Sequence, residues 1–290
     1  MEGKEVIVSV IIPTYRDDIR LNKCLEALNF QNFSNDQFEV IVVNNDPESE
    51  VEVTVPNSLN LRIITETKPG SYAARNKGIK SAKGEILAFT DSDCIPKSDW
   101  LENSVSELKK GADRIAGKID LIFESEKLNL IELYEDIFAF SQDYYVTIGA
   151  SVTANMITWK KCFKTVGLFN DNLMSGGDIE WGKRANKYGY SIIFGKNCVI
   201  RHPARSKFTE VLKKKRRTSI GLIKYRKEQG SLDFKWFYKG FHPPLRDIIK
   251  VFKKDSISTH KKFSLSILLY VFKLSKTYYK SISYLKIISN

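Results

Sequence analysis

Asp91 and Asp93 stand two residues apart at the end of an apolar run, in Phe89-Thr90-Asp91-Ser92-Asp93-Cys94. On an extended chain, residues i and i+2 point to one side, so the two carboxylates converge on a single cation. A hard divalent ion such as Mg²⁺ or Mn²⁺ takes a carboxylate oxygen or two, some waters and the phosphate oxygens of a substrate. The alternative for the same residues is a turn, with Asp93 and Ser98 shaping the chain and capping the next helix. Two more polar clusters, Thr14-Tyr15-Arg16 and Asn44-Asn45-Asp46, also end apolar runs.

The elements that must position these clusters follow from periodicity. Glu5 to Ile12 reads as a buried strand stopped by Pro13. Asp17 is expected to cap a helix whose Leu21, Cys24, Leu25 and Leu28 share one face. Phe38–Val43, Leu61–Thr65 and Glu85–Thr90 read as three further strands. Pro69 and Gly70 open a helix running to about Ala82, and Gly84 ends it. Further helices are expected near Lys127–Phe140 and after Gly176-Gly177, and from Ser206 the pattern is helical and basic. Strands alternating with helices imply an α/β fold with a mostly parallel, Rossmann-like sheet flanked by helices. Such sheets bind ligands outside the carboxyl ends of their strands, where all three polar clusters fall.

Composition narrows the function classes. At 290 residues, 42% hydrophobic and 28% charged, the chain suits a folded protein with one large α/β domain and an appendage, or two modest domains. Four scattered cysteines without a C-x-x-C pair argue against a zinc ribbon or disulfide scaffold and suit a reducing cytosol. No apolar stretch reaches the roughly 20 residues of a membrane-spanning helix, and no signal segment is recognisable, so a cytoplasmic location is expected. The net charge of +12 is uneven: residues 201–290 hold 23 Lys+Arg against 5 Asp+Glu, while the remainder is slightly acidic. The basic excess therefore concerns what the C-terminal part touches.

Five motifs, in order, carry a family resemblance: Ile11-Ile12-Pro13-Thr14-Tyr15-Arg16, Val42-Val43-Asn44-Asn45-Asp46, Ser71-Tyr72-Ala73-Ala74-Arg75-Asn76-Lys77-Gly78, Phe89-Thr90-Asp91-Ser92-Asp93-Cys94, and Ser175-Gly176-Gly177-Asp178-Ile179-Glu180-Trp181. Together they resemble the inverting family 2 glycosyltransferases of GT-A fold, over roughly residues 5–205. The resemblance implies that Pro13, Thr14, Tyr15 and Arg16 cradle the base and ribose of a nucleotide, and that Asp46 with Asn45 reads the base edge. Asn at both 44 and 45 departs from the commoner acidic form, although an amide still offers a donor and an acceptor. A simple Asx turn is the alternative. Ser71 and Arg75, at the start of their helix, would face the diphosphate; a solvated Arg75 is equally compatible. Asp91 and Ser92 would approach the donor, and Asp91, Asp93 and His202 would hold the metal. A lone His202 is also compatible with a purely structural role.

Asp178 matches the family's catalytic base. The family often has Glu-Asp here, whereas this chain has Gly177-Asp178, so one acid must serve. Asp178 could instead be an idle helix cap. Gly177, Glu180 and Trp181 would line the acceptor site, with Gly177 allowing close approach and Trp181 stacking on a sugar. Glu180 also lies four residues before Arg184, the spacing of a surface ion pair, and core packing is as good an account of Trp181.

The resulting expectation is a nucleotide-sugar-dependent GT-A domain over 1–205 and a basic helical extension over 206–290. The enzyme would be a metal-dependent, inverting hexosyltransferase using a nucleotide diphosphate sugar, UDP-linked by expectation, and Mn²⁺ or Mg²⁺. Its partners would be a glycan or lipid-linked acceptor and a membrane surface, with no nucleic acid, and its setting polysaccharide or glycoconjugate biosynthesis. Rival readings are a sugar-nucleotide-binding relative without activity and a nucleic-acid-binding protein using the basic end, which lacks any accompanying nucleic-acid motif. Lys213 to Arg217 form a five-cation run: a solvated helix face, a clamp on diphosphate, or a contact with an anionic acceptor or membrane. Ile267, Leu268, Val271, Leu274, Tyr278, Ile282, Leu285 and Ile288 recur at helical spacing, with Lys273, Lys276 and Lys280 opposite. That stripe either lies in a membrane interface or packs against protein.

Overall fold

The computed structural model describes residues 6–54, 58–231 and 234–288. Packing divides the chain into an α/β unit (1–122, 140–172 and 177–203) and a helical unit (123–139, 173–176 and 204–290).

In the α/β unit, β1 (Val8–Thr14) is flanked by β2 (Phe38–Asn44) and β4 (Ile86–Thr90), and β3 (Leu61–Thr65) lies outside β2; all four run parallel. Helix α1 (Asp18–Asn29) follows β1, and α2 (Ser71–Ser81) joins β3 to β4. The short β5 (Ile95–Pro96), α3 (Trp100–Lys109), β6 (Arg114–Ile122), α5 (Gln142–Thr147), β7 (Asn155–Trp159), α6 (Lys160–Val166), α7 (Gly177–Lys187) and β8 (Ile192–Pro203) complete the unit. The sheet order is β3-β2-β1-β4-β7-β6-β8-β5, with β7 and β5 antiparallel to their neighbours. Its two faces are covered separately. Val10, Ile12, Val40 and Val42 pack with the apolar face of α1, whereas Ile11, Ile41 and Val43 pack with Tyr72, Phe163 and Trp181. Buried on both faces, these strands read as continuous apolar runs.

Two expectations about this unit need correction. Pro13 does not stop β1, which continues to Thr14. Pairing with β4 ends at Ile11, so beyond it β1 bonds only to β2 and a residue lacking N–H is tolerated there. Glu5, expected to begin the strand, lies outside the described residues. Asp17 precedes α1 but makes no capping bond; its carboxylate accepts from Arg20 Nε at 2.8 Å and Ser92 Oγ at 3.1 Å.

The helical unit contains α4 (Leu130–Phe138), α8 (Phe208–Glu228), α9 (Lys235–Phe241), α10 (Leu245–Phe252) and α11 (Thr259–Ile288). Asn129 and Glu132 form a reciprocal cap at the start of α4. Leu133, Ile137, Val251, Leu265 and Leu269 form one core, and Ile131, Val211 and Phe272 another. Helix α11 thus buries Leu265, Leu269 and Phe272, while Ile267, Val271, Tyr278, Ile282 and Leu285 stay exposed. Of the stripe expected from periodicity, Leu268 packs against both cores while most of the rest stays exposed; the side chain of Ile288 lies outside the described residues. No helix among the described residues is long and apolar enough to cross a membrane.

Candidate active site

The carboxyl ends of β1, β2 and β4 and the start of α2 carry the polar clusters. Arg16 adopts a left-handed backbone conformation, φ 50°, and its Nε donates to Asp46 Oδ2 at 2.5 Å. That pair raises the Arg16 pKa and lowers that of Asp46. Tyr15 is exposed beneath the same guanidinium, 5.3 Å from its ring centre, and so offers a flat surface beside a charge pair. Thr14 is buried with its hydroxyl unpartnered, and its carbonyl accepts from Asn45 N at 2.9 Å. The Pro13 position pairs with Val43 in the sheet.

The two asparagines differ from the base-reading role expected of Asn45. Asn45 Nδ2 donates to the carbonyls of Glu66 (2.9 Å) and Lys68 (2.8 Å), and Oδ1 accepts from Gly70 N at 2.7 Å. Its amide is spent on holding the loop that enters α2. Asn44 accepts from Asp46 N at 2.9 Å and donates to Ser49 O at 2.6 Å, the Asx turn allowed by the sequence.

Asp91 and Asp93 take different partners. Asp91 to Cys94 is a turn, closed by Cys94 N donating to Asp91 O at 3.1 Å, so the alternation of an extended strand no longer applies. Asp91 pairs with Arg75, a buried residue rather than a solvated one. Arg75 also donates to the Ser71 carbonyl at 3.3 Å, while its Nε is buried without a partner. The Ser92 hydroxyl is committed to Asp17 rather than left for a donor.

Asp93 instead faces His202, which β8 brings beside the turn by pairing Arg201 with Ile95. His202 Nε2 lies 3.5 Å from Asp93 Oδ1, and Arg20 Nη1 lies 3.8 Å from Asp93 Oδ2. Burial, together with Asp91, raises the Asp93 carboxyl, and His202 and Arg20 oppose the rise. His202 Nδ1 is 2.7 Å from the Pro203 carbonyl, which can only accept, so Nδ1 carries a proton and Nε2 is the nitrogen that faces Asp93. Phe140 packs on the imidazole with ring centres 4.5 Å apart. A carboxylate oxygen and an imidazole nitrogen, fixed by its second-nitrogen bond, suit a divalent cation. Ligand atoms of Asp93, Cys94 and His202 lie within 4.8 Å of one another. Cys94 is a poor third ligand for a hard ion, because burial pushes its thiol well above the ordinary range.

Asp178 lies in the first turn of α7, buried. Its Oδ1 accepts from Tyr72 OH and from Ile179 N, both at 2.9 Å, and Oδ2 accepts from Thr153 N at 3.2 Å. Burial raises its pKa above the usual carboxylate range; the Tyr72 bond, the Arg75 charge and the two backbone bonds pull it down without cancelling the rise. Gly177 is required by Tyr72: a Cβ there would meet the ring at 2.9 Å. The glycine therefore admits a tyrosine of this chain, not an acceptor.

The other expected acceptor residues are occupied. Trp181 is fully buried, stacked on Phe163 at 4.2 Å, and donates Nε1 to Gly167 O at 2.8 Å, so no sugar can stack on it. Glu180 places its oxygens 2.6 and 3.1 Å from Arg184, which also binds the carbonyls of Val166 and Leu168. Tyr72 and Arg20 were not singled out from the sequence; Tyr72 lies three residues before Arg75 on the same helix face, a spacing that could have drawn attention to it.

The model for Glycosyl transferase family 2 matches residues 9–157. Glycosyltransferase AglE of Haloferax volcanii is 36% identical over 223 residues, covering 74% of this chain and 73% of that protein. A Methanococcus voltae enzyme, dolichyl N-acetyl-alpha-D-glucosaminyl phosphate 3-beta-D-2,3-diacetamido-2,3-dideoxy-beta-D-glucuronosyltransferase, is 23% identical over 71% of this chain and 70% of its own length. In structure the chain is similar to the Pyrobaculum calidifontis mannosyltransferase PcManGT in complex with GDP-Man and Mn²⁺, with TM-score 0.56, 16% identity, and coverage of 97% of this chain and 74% of that one. S. aureus TarS 1–349 in complex with UDP-GlcNAc gives TM-score 0.52 at 17% identity, covering 98% and 92%. At such identities the structural likeness carries the fold, and the sequence matches carry the family: this chain belongs to glycosyl transferase family 2 and has the GT-A fold.

Proposed function

We propose that the chain moves a sugar from a nucleotide diphosphate donor, UDP-linked by preference, to an acceptor hydroxyl, with inversion at the anomeric carbon. One observation carries the reading. The first turn of α2 ties two acidic positions together, with Tyr72 on Asp178 and Arg75 on Asp91. A buried carboxylate with a raised pKa is thereby held beside a cation-bearing helix start suited to a diphosphate. Asp178 Oδ2, which accepts from Thr153 N, keeps a lone pair for the acceptor proton. As that proton moves to Asp178, the acceptor oxygen bonds the anomeric carbon, and the bond to the diphosphate oxygen breaks with its electron pair. Arg75 and the α2 N-terminus face the negative charge that develops. Mn²⁺ or Mg²⁺ would be held by Asp93 and His202, and when bound would neutralise charge on the leaving diphosphate. Arg16, Tyr15 and Asp46 would hold the nucleoside.

Residues 1–205 would act as the transferase domain. Residues 206–290 would act as the basic extension that brings the chain to the cytoplasmic face of an anionic membrane. The exposed Ile267, Val271, Tyr278, Ile282 and Leu285 on α11 support the second assignment, as does the name of the M. voltae relative, which specifies a dolichyl phosphate-linked acceptor. Because α11 also supplies core residues, substitution of exposed positions tests this better than truncation: Ile267→Ser with Leu285→Ser should release the protein from anionic vesicles without unfolding it.

The function is tested by a hydrolysis screen of nucleotide sugars with and without Mn²⁺, since slow donor hydrolysis needs no acceptor. Mn²⁺-dependent release of a nucleoside diphosphate, lost in Asp93→Asn, is expected. Tight donor binding without turnover, even with lipid-linked sugars added, would identify a binding relative and overturn the proposal.

A further inference from the structure

A cleft of about 650 Å³ lies within the helical unit, among α4, α8, α9, α10 and α11. Six cations line it, Lys215, Lys239, Arg246, Lys273, Lys276 and Lys280, against one acid, Asp247. Among the described residues, no carboxylate comes within ion-pair distance of Lys215, Lys276 or Lys280. Lys215 Nζ donates to Tyr134 OH at 3.0 Å and sits 4.7 Å from the Phe272 ring centre; Lys280 Nζ sits 5.7 Å from that of Trp236. Trp236 also lines the cleft, is buried, and has an indole N–H without a partner. Burial, reinforced by neighbouring lysines, pushes Lys215 and Lys280 down to about 8.

Lys215 and Lys280 are half-buried over aromatic rings, and folding has little reason to hold them there, because a partly desolvated charge costs free energy unless a counter-charge is supplied. A bound anion supplies it. Six cations against one acid call for more than the single charge of a carboxylate, and a phosphate or diphosphate meets that need with several acceptor oxygens. The walls are not those of a site for a bare ion: Tyr134, Phe272, Leu245 and Leu269 present apolar surface beside the cations, in a volume that suits a small organic molecule.

We propose that this cleft binds the phosphate or diphosphate of an amphiphile, its oxygens held by the lysines and the Trp236 N–H, and its first carbons laid against the aromatic wall. The site is internal to the helical unit, and its occupancy can be measured without turnover, so the proposal stands or falls apart from the transferase reading.

The test uses the full chain and three probes: decyl phosphate below its micelle concentration, decanol, and inorganic pyrophosphate. Calorimetry should show decyl phosphate binding most tightly. Lys215→Gln with Lys280→Gln should weaken that binding at least tenfold with the melting temperature preserved, because the change removes half-buried charge that has no counter-charge. If that variant fails to fold, Lys239→Gln with Lys273→Gln at the same cleft serves instead. Trp236→Phe should remove most of the emission change that decyl phosphate causes. Undiminished affinity in the lysine variants, or decanol binding as tightly as decyl phosphate, would overturn the proposal. Pyrophosphate binding as tightly as decyl phosphate would assign the cleft to free phosphates and overturn the amphiphile.

Discussion

The two units treat buried charge in opposite ways. In the α/β unit, Arg62 meets the fully buried Glu39 at 3.1 Å, Arg75 meets Asp91, and Arg114 donates to the carbonyls of Gly149, Gly182 and Tyr190 at 3.0, 3.1 and 2.8 Å. In the helical unit Arg205 is matched by Glu135 at 2.7 Å, while Lys215 and Lys280 face aromatic rings. Where a charge serves the scaffold, the fold provides its partner. A buried ionisable group left without an opposite charge is therefore the place to look for a ligand or a reaction. Within the α/β unit Asp178 is such a group, bonded to neutral donors and raised by burial, whereas Arg114 spends its donors on three backbone carbonyls.

The most severe break in this contrast is Asp178→Asn. The amide keeps the shape and can accept from Tyr72 and Ile179, but it takes no proton. Transfer should fall by roughly 10²–10⁴, the usual worth of a general base, while donor binding by calorimetry stays near normal. Near wild-type transfer would place the base elsewhere. Next comes the scaffold side of the contrast. Arg114→Met removes three hydrogen bonds to buried carbonyls, which relief of a buried charge only partly offsets. A loss of about 2–4 kcal/mol in denaturant unfolding is expected, read from the cost of unsatisfied buried groups. No loss would show that the carbonyls find other partners.

Tyr72→Phe sharpens the picture of Asp178 with a smaller effect. The Tyr72 O–H stabilises the ionised carboxylate and so lowers its pKa. Without that bond the pKa rises further, more of the base is protonated at a given acid pH, and the acid limb of the rate profile moves to higher pH. At alkaline pH the base is ionised in both proteins, so their rates should approach one another. A limb that stays in place would detach Tyr72 from the proton transfer.

Much of the α/β unit was legible because its strands are apolar runs ended by polar clusters, and those clusters lie at the carboxyl ends where the parallel rule puts them. The internal arrangement was less legible, for reasons of reach. The pairing of i with i+2 assumes an extended chain, and the Asp91–Cys94 turn voids it, so Asp93 finds His202, more than a hundred residues away, through the β5–β8 pairing. Asn45 looked like a base reader because an amide can be one, yet three backbone groups of a neighbouring loop consume it. On α11 the periodicity identified an apolar stripe but not which side was covered; Leu265, Leu269 and Phe272 supply a second apolar face that is buried, and of the stripe Leu268 packs beside them.

Glu180 provides the mildest test, because the same carboxylate invites two readings. By motif it sits two residues from Asp178 and would face an acceptor; by geometry it is a bidentate partner of Arg184, which in turn holds the carbonyls of Val166 and Leu168. Glu180→Gln keeps one acceptor oxygen for the guanidinium and removes the charge. If the pair is scaffold, the change should cost roughly 0.5–1.5 kcal/mol, the range of a single hydrogen bond. Both kcat and KM for the acceptor should then stay within about threefold of the parent, since a residue outside the site contributes neither uniform binding nor transition-state stabilisation. A rise in acceptor KM at unchanged kcat and unchanged melting temperature would return Glu180 to the acceptor site. The contrast between matched and unmatched charge would then fail at Glu180, because a carboxylate already paired with arginine would also be serving a substrate.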